Sequence, residues 1–177
     1  PLVFTDCQDM SISADGKYLA WLSSLGEVQI VEIATQETIY RKMLKGATSL
    51  IWQGEELVIA RPGELVMLRS PFRSQRKASL PAQRARLASS DNYLGIIDER
   101  ERLRVFRWPA YEQTAMAGGI QQMQFAAKQK YLVAASGALL KVMDPISGKT
   151  LRNLVFHKLP VTALSTSPNP DSLASAD

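Results

Sequence analysis

The sequence repeats itself with a period of about 38 residues, four times in full and once in part. Three independent sets of apolar positions keep this period. The first set is Val28, Leu65, Leu103 and Leu140; the second is Leu19, Leu57, Leu94 and Leu132; the third is Ile12, Leu50, Leu87, Phe125 and Leu164. Because the three sets stay in register, the repeat constrains the fold more strongly than any local motif.

Within each repeat the apolar residues form short alternating or continuous runs, which is the pattern of β-strands. Turn residues such as Asp15-Gly16 interrupt these runs, and no stretch keeps a helical apolar stripe. The predicted strands of the four repeats are 10–13, 18–22, 27–33 and 38–43; 49–52, 56–61, 64–69 and 75–80; 84–88, 93–98, 102–108 and 112–117; 121–126, 131–136, 138–144 and 149–156. A fifth repeat contributes two strands, 161–165 and 172–176.

Four antiparallel strands in a unit of this length are what one blade of a β-propeller requires. We therefore predict an all-β fold of propeller blades, in which the middle strands are buried between blades and the fourth strand is solvated. A β-sandwich has strands of similar length, but it does not repeat in phase. The predicted blades, in a single segment over residues 1–177, are 8–43, 47–80, 84–117 and 120–156, with a partial blade at 161–177.

Several phrases resemble the consensus lines of WD40 repeats. Val28–Glu37 reads VQIVEIATQE and Leu140–Lys149 reads LKVMDPISGK, and both are similar to the third-strand line V-K-L-W-D-x-x-T-G-E. Ser13–Ala20 reads SADGKYLA and resembles the S-P-D-G-K-x-L-A line. Residues 161–165 and 171–177 resemble the first two strands of the family. The resemblance covers nearly the whole chain and implies about four and a half WD40-like repeats.

The repeats depart from the WD40 pattern at its most characteristic positions. The Asp of the W-D pair is kept only as Asp144, and the sole histidine, His157, is not preceded by glycine. WD40 blades often lock themselves with a hydrogen-bonded set that includes a His and an Asp. We therefore expect this lock to be missing and the blades to depend on packing between neighbours. Apolar residues replace the Trp, as Val31, Leu68, Phe106 and Met143.

The number of repeats predicts an incomplete ring. WD40-like propellers usually have seven blades, which at this period need on the order of 265 residues. An open propeller leaves apolar faces and strand edges uncovered. We therefore expect further blades to come from sequence outside these residues or from another chain, with Leu2-Val3-Phe4 as a candidate outer strand of a preceding blade.

Composition excludes some classes of protein. No stretch approaches the roughly 20 apolar residues of a membrane span. The sequence begins at Pro1 with neither the charged start nor the apolar run of a signal peptide, so we expect a cytoplasmic protein. The single Cys7 excludes an internal disulfide framework, and we expect it to be a small buried side chain rather than a nucleophile.

One stretch of the sequence, residues 69–86, is strongly basic and contains no acid. Its cations predict a surface that binds nucleic acid, an anionic membrane or an acidic protein. The alternative is an exposed edge that charge keeps soluble. Phe72 is the only aromatic residue among the cations, so a platform for stacking bases is not indicated. The candidate anion-binding residues are Arg69, Arg73, Arg76, Lys77, Arg84 and Arg86.

Three tryptophans are candidates for interface anchors, because Trp is enriched at binding hot spots. Trp21 and Trp52 lie in or beside apolar strand runs, so we predict that they belong to the core. Trp108 stands between Arg107 and Pro109 at a strand end. Its position fits packing and partner contact equally well.

The remaining titratable residues suggest no catalytic set, metal site or cofactor site. Asp98, Glu99 and Glu101 alternate with Arg100 and Arg102, and this predicts a charged surface turn rather than a pair of catalytic carboxylates. The lone His157 lies beside Lys158, without metal ligands at suitable spacing, and is expected to be solvated.

The sequence therefore favours a non-enzymatic scaffold for protein–protein interactions, with an anion-binding module built on residues 69–86 as the alternative. In a scaffold of this kind, partners dock on loops that rigid sheets hold in place. The loops between consecutive blades are the candidate docking loops: 44–48, 80–84, 117–121 and 157–161. A catalytic propeller is a third possibility, although no nucleophile–base set is visible in the sequence.

Overall fold

The computed structural model describes residues 6–126, 130–167 and 172–177, and within these ranges all 18 regular elements are β-strands. Sheet 1 consists of β1 (Cys7–Ile12), β2 (Tyr18–Ser23), β3 (Glu27–Glu32) and β4 (Glu37–Met43). Sheet 2 consists of β5 (Ser49–Gln53), β6 (Glu56–Arg61), β7 (Glu64–Arg69) and β8 (Gln75–Ser79). The strands of each sheet follow chain order and pair antiparallel.

The later repeats have the same arrangement. Sheet 3 consists of β9 (Ala85–Ser90), β10 (Tyr93–Asp98), β11 (Leu103–Arg107) and β12 (Glu112–Ala117). Sheet 4 consists of β13 (Gln122–Ala126), β14 (Tyr131–Ser136), β15 (Leu139–Met143) and β16 (Thr150–Val155). Sheet 5 has only β17 (Ala163–Thr166) and β18 (Leu173–Ala176). The predicted units of four antiparallel strands, and the pair of strands in the fifth repeat, are confirmed.

The chain divides into two compact units, Pro1–Leu87 and Ala88–Asp177. The candidate strand Leu2-Val3-Phe4 lies outside the described residues. The described residues contain no helical segment with the length and hydropathy that a bilayer span requires.

Burial changes across each sheet as the hydrophobic pattern predicts. In the four-stranded sheets the second strands are mostly buried, and Leu57 in β6 and Leu132 in β14 have exposed fractions of only 0% and 1%. The fourth strands are mostly exposed, because their sequences alternate polar and small residues with few large apolar ones. Leu57, Leu94 and Leu132 thus lie in the core, as their register predicts, whereas Leu19 of the first repeat is half-buried.

Each unit has a core of its own. In the first unit Leu22, Leu50 and Leu68 belong to one buried cluster, against which Tyr18 and Tyr40 pack. In the second unit a cluster of the same kind includes Leu103, Phe125 and Leu132, and a smaller one joins Leu140 and Val161 to Leu154, Leu164 and Leu173. Trp21 and Trp52 are buried, which confirms the prediction that both are core residues.

First strands of consecutive repeats lie side by side within each unit. In the first unit, Asp9 Oδ2 in β1 accepts hydrogen bonds from the Ser49 hydroxyl at 2.8 Å and the Leu50 N–H at 2.9 Å. The amide Nε2 of Gln8 donates to the Thr48 carbonyl at 2.8 Å. The second unit repeats this last contact from Gln122 to Thr162 at 3.2 Å. The recurrence shows that the repeat governs contacts between neighbouring sheets as well as the strands within them.

Candidate functional site

The four candidate docking loops share an anchor that the sequence did not reveal. In each loop the backbone N–H of one buried aliphatic residue donates to a carbonyl in the turn between the second and third strands of the preceding sheet. The four bonds run from Leu44 to Gly26 at 2.7 Å, from Leu80 to Gly63 at 3.0 Å, from Ile120 to Glu101 at 2.9 Å and from Val161 to Gly137 at 3.0 Å. Each loop is therefore tied to the sheet before it by one hydrogen bond and one buried side chain.

The accepting residues all have left-handed backbone conformations, which aim their carbonyls at the anchor. Three of them are glycines, for which a positive φ carries no steric cost. Gly26 also lies so close to Leu44 that a Cβ would stand 2.7 Å from the Leu44 carbonyl oxygen. The exception is Glu101, with φ 58°, whose carboxylate accepts a hydrogen bond from Gln121 Nε2 at 2.7 Å. The same Gln121 accepts the Gly137 N–H through its Oε1 at 2.8 Å.

Apart from the anchors, each loop has exposed residues, which differ in chemistry from loop to loop. Lys45 is exposed in the first loop, Pro81 in the second, and Lys158 and Leu159 in the fourth. The third loop exposes Gly118 and little side chain. Each loop thus combines a buried anchor with an exposed tip, which follows the anchor in the first two loops and precedes it in the last two.

The cations of the basic stretch are exposed. The absence of acids within residues 69–86 predicted that they would be unopposed, but three of them pair with glutamates from other parts of the sequence. Arg69 pairs with Glu55, and the hydrogen bond to that carboxylate raises the pKa of the guanidinium. Arg76 lies 2.9 Å from Glu56, and Lys77 lies 3.1 Å from Glu64. These glutamates begin β6 and β7 or directly precede β6, and antiparallel pairing brings them beside the cations of the third and fourth strands. These glutamates lie outside residues 69–86, so the sequence of the basic stretch alone does not reveal the pairing.

Positive charge nevertheless remains concentrated here. Residues 54–86 hold seven of the 21 basic and three of the 17 acidic residues, so the rest of the chain is balanced at fourteen of each. The six predicted side chains are exposed, and they lie at the end of β7, on β8, in the segments on either side of β8, and on β9. Residues 54–86 therefore carry a formal charge of +4, which equals that of the whole chain.

The one aromatic residue of this stretch points into the protein. Phe72 is buried and makes edge contacts with Tyr18 and Trp52, at centroid distances of 5.5 Å and 6.0 Å, and with Tyr40 at 6.4 Å. Because the ring is enclosed by other rings, it offers no face to a nucleic-acid base.

Trp108 is half-buried at the turn between β11 and β12. The backbone N–H of Trp108 donates to the backbone carbonyl of Asn92 at 2.8 Å, which holds the turn against the start of β10. Farther along the turn, Tyr111 stacks on Phe106 at a centroid distance of 4.3 Å. Burial raises the pKa of Tyr111 to about 12, although the charge of Arg104 acts in the opposite direction. Contact of Trp108 with a partner stays a prediction.

The prediction of a purely solvated acidic turn is wrong for Asp98. Glu99 and Glu101 are exposed as expected, but the side chain of Asp98 is only 1% exposed. Its Oδ1 accepts the N–H groups of Arg100 at 2.9 Å and Arg102 at 3.0 Å, and Oδ2 accepts Arg102 Nε at 2.8 Å. The side chain folds back over its own hairpin because these donors converge there.

Asp98 is also paired with a second arginine. Arg104 Nη2 lies 3.7 Å from Oδ2, and the Arg104 side chain is itself mostly buried. Burial alone raises the pKa of Asp98, but the backbone hydrogen bonds from Arg102 and Arg100, together with the Arg102 guanidinium, lower it by more. The net result is a lowered pKa, so the carboxylate stays ionised and holds the turn together.

The prediction that His157 is solvated is also wrong, because both of its ring nitrogens contact other side chains. Its Nε2 lies 2.7 Å from the Ser175 hydroxyl of β18, and its Nδ1 lies 3.3 Å from Asp177 Oδ1. The other oxygen of Asp177 accepts the N–H groups of Lys158 and Leu159 at 3.1 Å and 3.2 Å. These backbone bonds are the main cause of the lowered pKa of Asp177. The expected absence of a His–Asp pair is therefore wrong for the fifth repeat.

The repeat itself contains the signal that would have found these two carboxylates. Asp98 lies four residues after Leu94, and Asp177 lies four residues after Leu173. Both thus occupy the end of a second strand. Serine, histidine and aspartate in this order of contact also form the nucleophile–base–acid set of hydrolases. Here Asp177 also accepts hydrogen bonds from two backbone N–H groups of the loop 157–161, so the arrangement holds this loop in place.

The prediction for Cys7 is also wrong. The residue lies at the start of β1 with its side chain exposed, and its Sγ is 3.6 Å from the Asp9 carbonyl. In the described ranges no three His, Cys, Asp or Glu side chains are grouped to hold a metal ion.

Comparison with known proteins adds no family assignment. No protein-family model matches the chain, and a search of curated proteins returns no match.

Proposed function

We propose that the chain is a WD40-like propeller segment that acts as a non-enzymatic scaffold for protein–protein interactions. The observation that carries the proposal is the anchored loop that recurs in all four complete repeats. Docking on a loop that is already fixed avoids the entropic cost of ordering it when the partner binds. The loops 44–48, 80–84, 117–121 and 157–161 are the proposed docking surface.

Two further observations support a propeller built from these sheets. First strands of successive repeats contact each other within each unit, as radial stacking of blades requires. The His157–Asp177 pair in the fifth repeat is of the kind by which WD40 blades lock themselves. The Trp of the family pattern is replaced by buried apolar residues such as Val31 and Met143, which fill a core position in the third strand.

The test compares loop tips with strand surfaces. One variant combines alanine substitutions at Lys45, Pro81, Lys158 and Leu159, which are exposed and leave the anchors intact. A matched control carries alanine at four exposed positions of fourth strands: Lys42, Gln113, Arg152 and Asn153. Both are used in cross-linking capture from an extract of the source organism, quantified against the wild type by mass spectrometry.

We expect the loop variant to lose specific captured proteins that the control retains, while thermal unfolding stays the same for all three. Capture that is identical for the loop variant and the wild type would show that partners do not dock on these loops. Equal losses in both variants would point to the sheet surfaces instead.

The concentration of charge favours a second candidate function, an anion-binding module on sheet 2. All the net positive charge of the chain lies in residues 54–86, and three of the predicted cations form ion pairs in which the cation is at least half exposed, a kind of pair that is weak in water. Binding to heparin, an RNA oligonucleotide and anionic vesicles is measured over a salt titration. We expect the logarithm of the affinity to fall linearly with that of the salt concentration. No binding to any of them near physiological ionic strength argues against this function.

A further inference from the structure

The outermost strand of sheet 2 differs from the other outermost strands in the regularity of its backbone. In sheets 1, 3 and 4 the fourth strand has a bulge at the same place in its pairing with the third strand. The extra residues are Ile39, Thr114 and Leu151. In β8, residues 75–79 pair with β7 without any shift. Bulges are one way in which natural sheets prevent another strand from adding to an edge, so β8 lacks a protection that the other three strands have.

The register also shows which backbone groups of β8 point away from β7. Leu80 donates to the Gly63 carbonyl, and Leu80 and Gly63 continue the pairing of β8 with β7. In an antiparallel pair, residues whose groups bond the neighbour alternate with residues whose groups point outward. Counting back by this alternation, Gln75 and Lys77 turn both their N–H and C=O groups outward. These two residues are two positions apart, which is the spacing at which an added strand forms its hydrogen bonds.

The side chains beside this edge are cationic and held loosely. Arg73 is exposed just before β8, and Arg76 and Lys77 lie on the strand with side chains about half exposed. Each of the two strand cations contacts a glutamate of the same sheet. Exposed ion pairs of this kind contribute about 0–1 kcal/mol, so a carboxylate of an incoming peptide can replace the internal partner at little cost.

We propose that the edge of β8 binds an acidic, extended peptide of a protein partner by adding it as a further strand. Main-chain hydrogen bonds to Gln75 and Lys77 supply the alignment, and Arg73, Arg76 and Lys77 select carboxylates over other side chains. The inference rests on the second proposed function and narrows its partner to an acidic protein segment. Nucleic acid is the less suitable ligand because Phe72 is buried. The last strand of sheet 5, β18, also pairs without a shift, but it carries no charged residue and lacks this selectivity.

The first experiment uses the wild-type protein and two synthetic peptides of equal charge. The probe is Ac-Glu-Val-Glu-Val-Glu-Val-Glu-NH2, and its control is the same sequence with every residue's backbone nitrogen methylated, which removes the donors of both edges and blocks pairing on either side. Titration calorimetry gives the affinities. Hydrogen exchange followed by NMR reports on the amides of Gln75 and Lys77.

We expect the unmodified peptide to bind at least about tenfold more tightly than the methylated one, since losing main-chain hydrogen bonds costs one or more factors of ten. The Gln75 and Lys77 amides should become protected only with the unmodified peptide. Equal binding of both peptides overturns strand addition and leaves an anion-binding surface standing. Binding of RNA or heparin without binding of either peptide overturns the partner class. No binding of any probe overturns this inference and the second function together.

Variants localise the binding. Gln75→Pro removes an outward N–H without removing a bond to β7 or a charge, and we expect it to weaken peptide binding about fivefold or more, with Gln75→Ala as its matched control. The double substitution Arg76→Gln and Lys77→Gln should weaken binding to a similar extent, whereas Arg41→Gln on the bulged strand β4 should not. Unfolding temperatures check that each variant folds. Unchanged binding by both the proline variant and the double variant places the peptide elsewhere on the protein.

Discussion

Two carboxylates occupy the same position of the repeat and hold different parts of the molecule. Asp98, at the end of β10, is satisfied by N–H groups and arginines that belong to its own hairpin and third strand. Asp177, just after β18, is satisfied by His157 and by the backbone of the candidate docking loop 157–161. The comparison shows that the repeat fixes where a carboxylate stands, while its neighbours decide whether it stabilises a sheet or positions a loop.

The largest effect is expected from Asp98→Ala in the third repeat. Removing the carboxylate leaves the mostly buried Arg104 and two backbone N–H groups without their acceptor, and breaking a buried pair in this way costs about 3 kcal/mol. Chemical denaturation of the variant and the wild type measures the loss. Glu112→Gln, an exposed residue on β12 of the same sheet, is the control and should change stability by less than about 0.5 kcal/mol. A loss for Asp98→Ala no larger than that of the control would mean that the buried pair does not stabilise the hairpin.

At low pH, the difference in the free energy of unfolding between Asp98→Ala and the wild type should disappear. Because the folded-state pKa of Asp98 is lowered, its contribution to stability is complete above its unfolded pKa of about 3.9 and is lost as the pH falls through the lower folded value. Denaturation midpoints from pH 7 to pH 2 should therefore converge for the two proteins below about pH 4. Curves that stay parallel over the whole range would show that the carboxylate is not the titrating group.

A smaller and more local effect is expected from His157→Phe in the fifth repeat. The substitution keeps the bulk of the ring but removes both nitrogens, so the contacts with Ser175 and Asp177 are lost together. Each hydrogen bond contributes about 1 kcal/mol, and the loss should fall on the loop rather than on the sheets. Hydrogen exchange should quicken at Lys158 and Leu159 and remain unchanged in β14. Exchange that rises equally in both places would indicate general destabilisation, and the distinction between the two carboxylates would fail.

The smallest effect is expected from Ser175→Ala. This change removes only the hydroxyl that contacts Nε2 of His157 and leaves the contact of Nδ1 with Asp177 in place, so stability should fall by about 0.5–1 kcal/mol. Loop exchange measured as for His157→Phe should be intermediate between that variant and the wild type. The same pair of proteins tests the hydrolase reading of these residues. Hydrolysis of a p-nitrophenyl ester by the wild type that Ser175→Ala abolishes would assign catalysis to them.

The strands were predictable because burial and alternation act over a few neighbouring residues. Leu57 and Leu132 mark buried second strands in the sequence and in the structure, and strand ends differ by no more than a few positions. What the sequence did not predict depends on residues that meet through turns and pairing. Arg76 lies 20 residues from Glu56, and His157 lies 18 residues from Ser175.

The misjudged side chains have the same physical origin. Asp98 looks like part of a charged turn because each of its neighbours is charged, yet the hairpin folds its donors inward around one carboxylate. Cys7 was expected inside because cysteine is often buried, but the start of β1 leaves it exposed. Reading the repeats in alignment, four residues beyond each second-strand leucine, would have singled out Asp98 and Asp177.

The hydrogen bond from each anchor residue to the left-handed turn of the preceding sheet joins two points of the chain within a single repeat. The two ends of that bond are separated by 17 residues for Leu80 and by 18 for Leu44. In these two repeats, the residues between the anchor and the next strand can therefore be lengthened, shortened or exchanged without shifting the register of the strands. Such a chain can diversify one tip at a time, and protein engineers could graft foreign recognition segments after Leu44 or Leu80 with little risk to the neighbouring sheets.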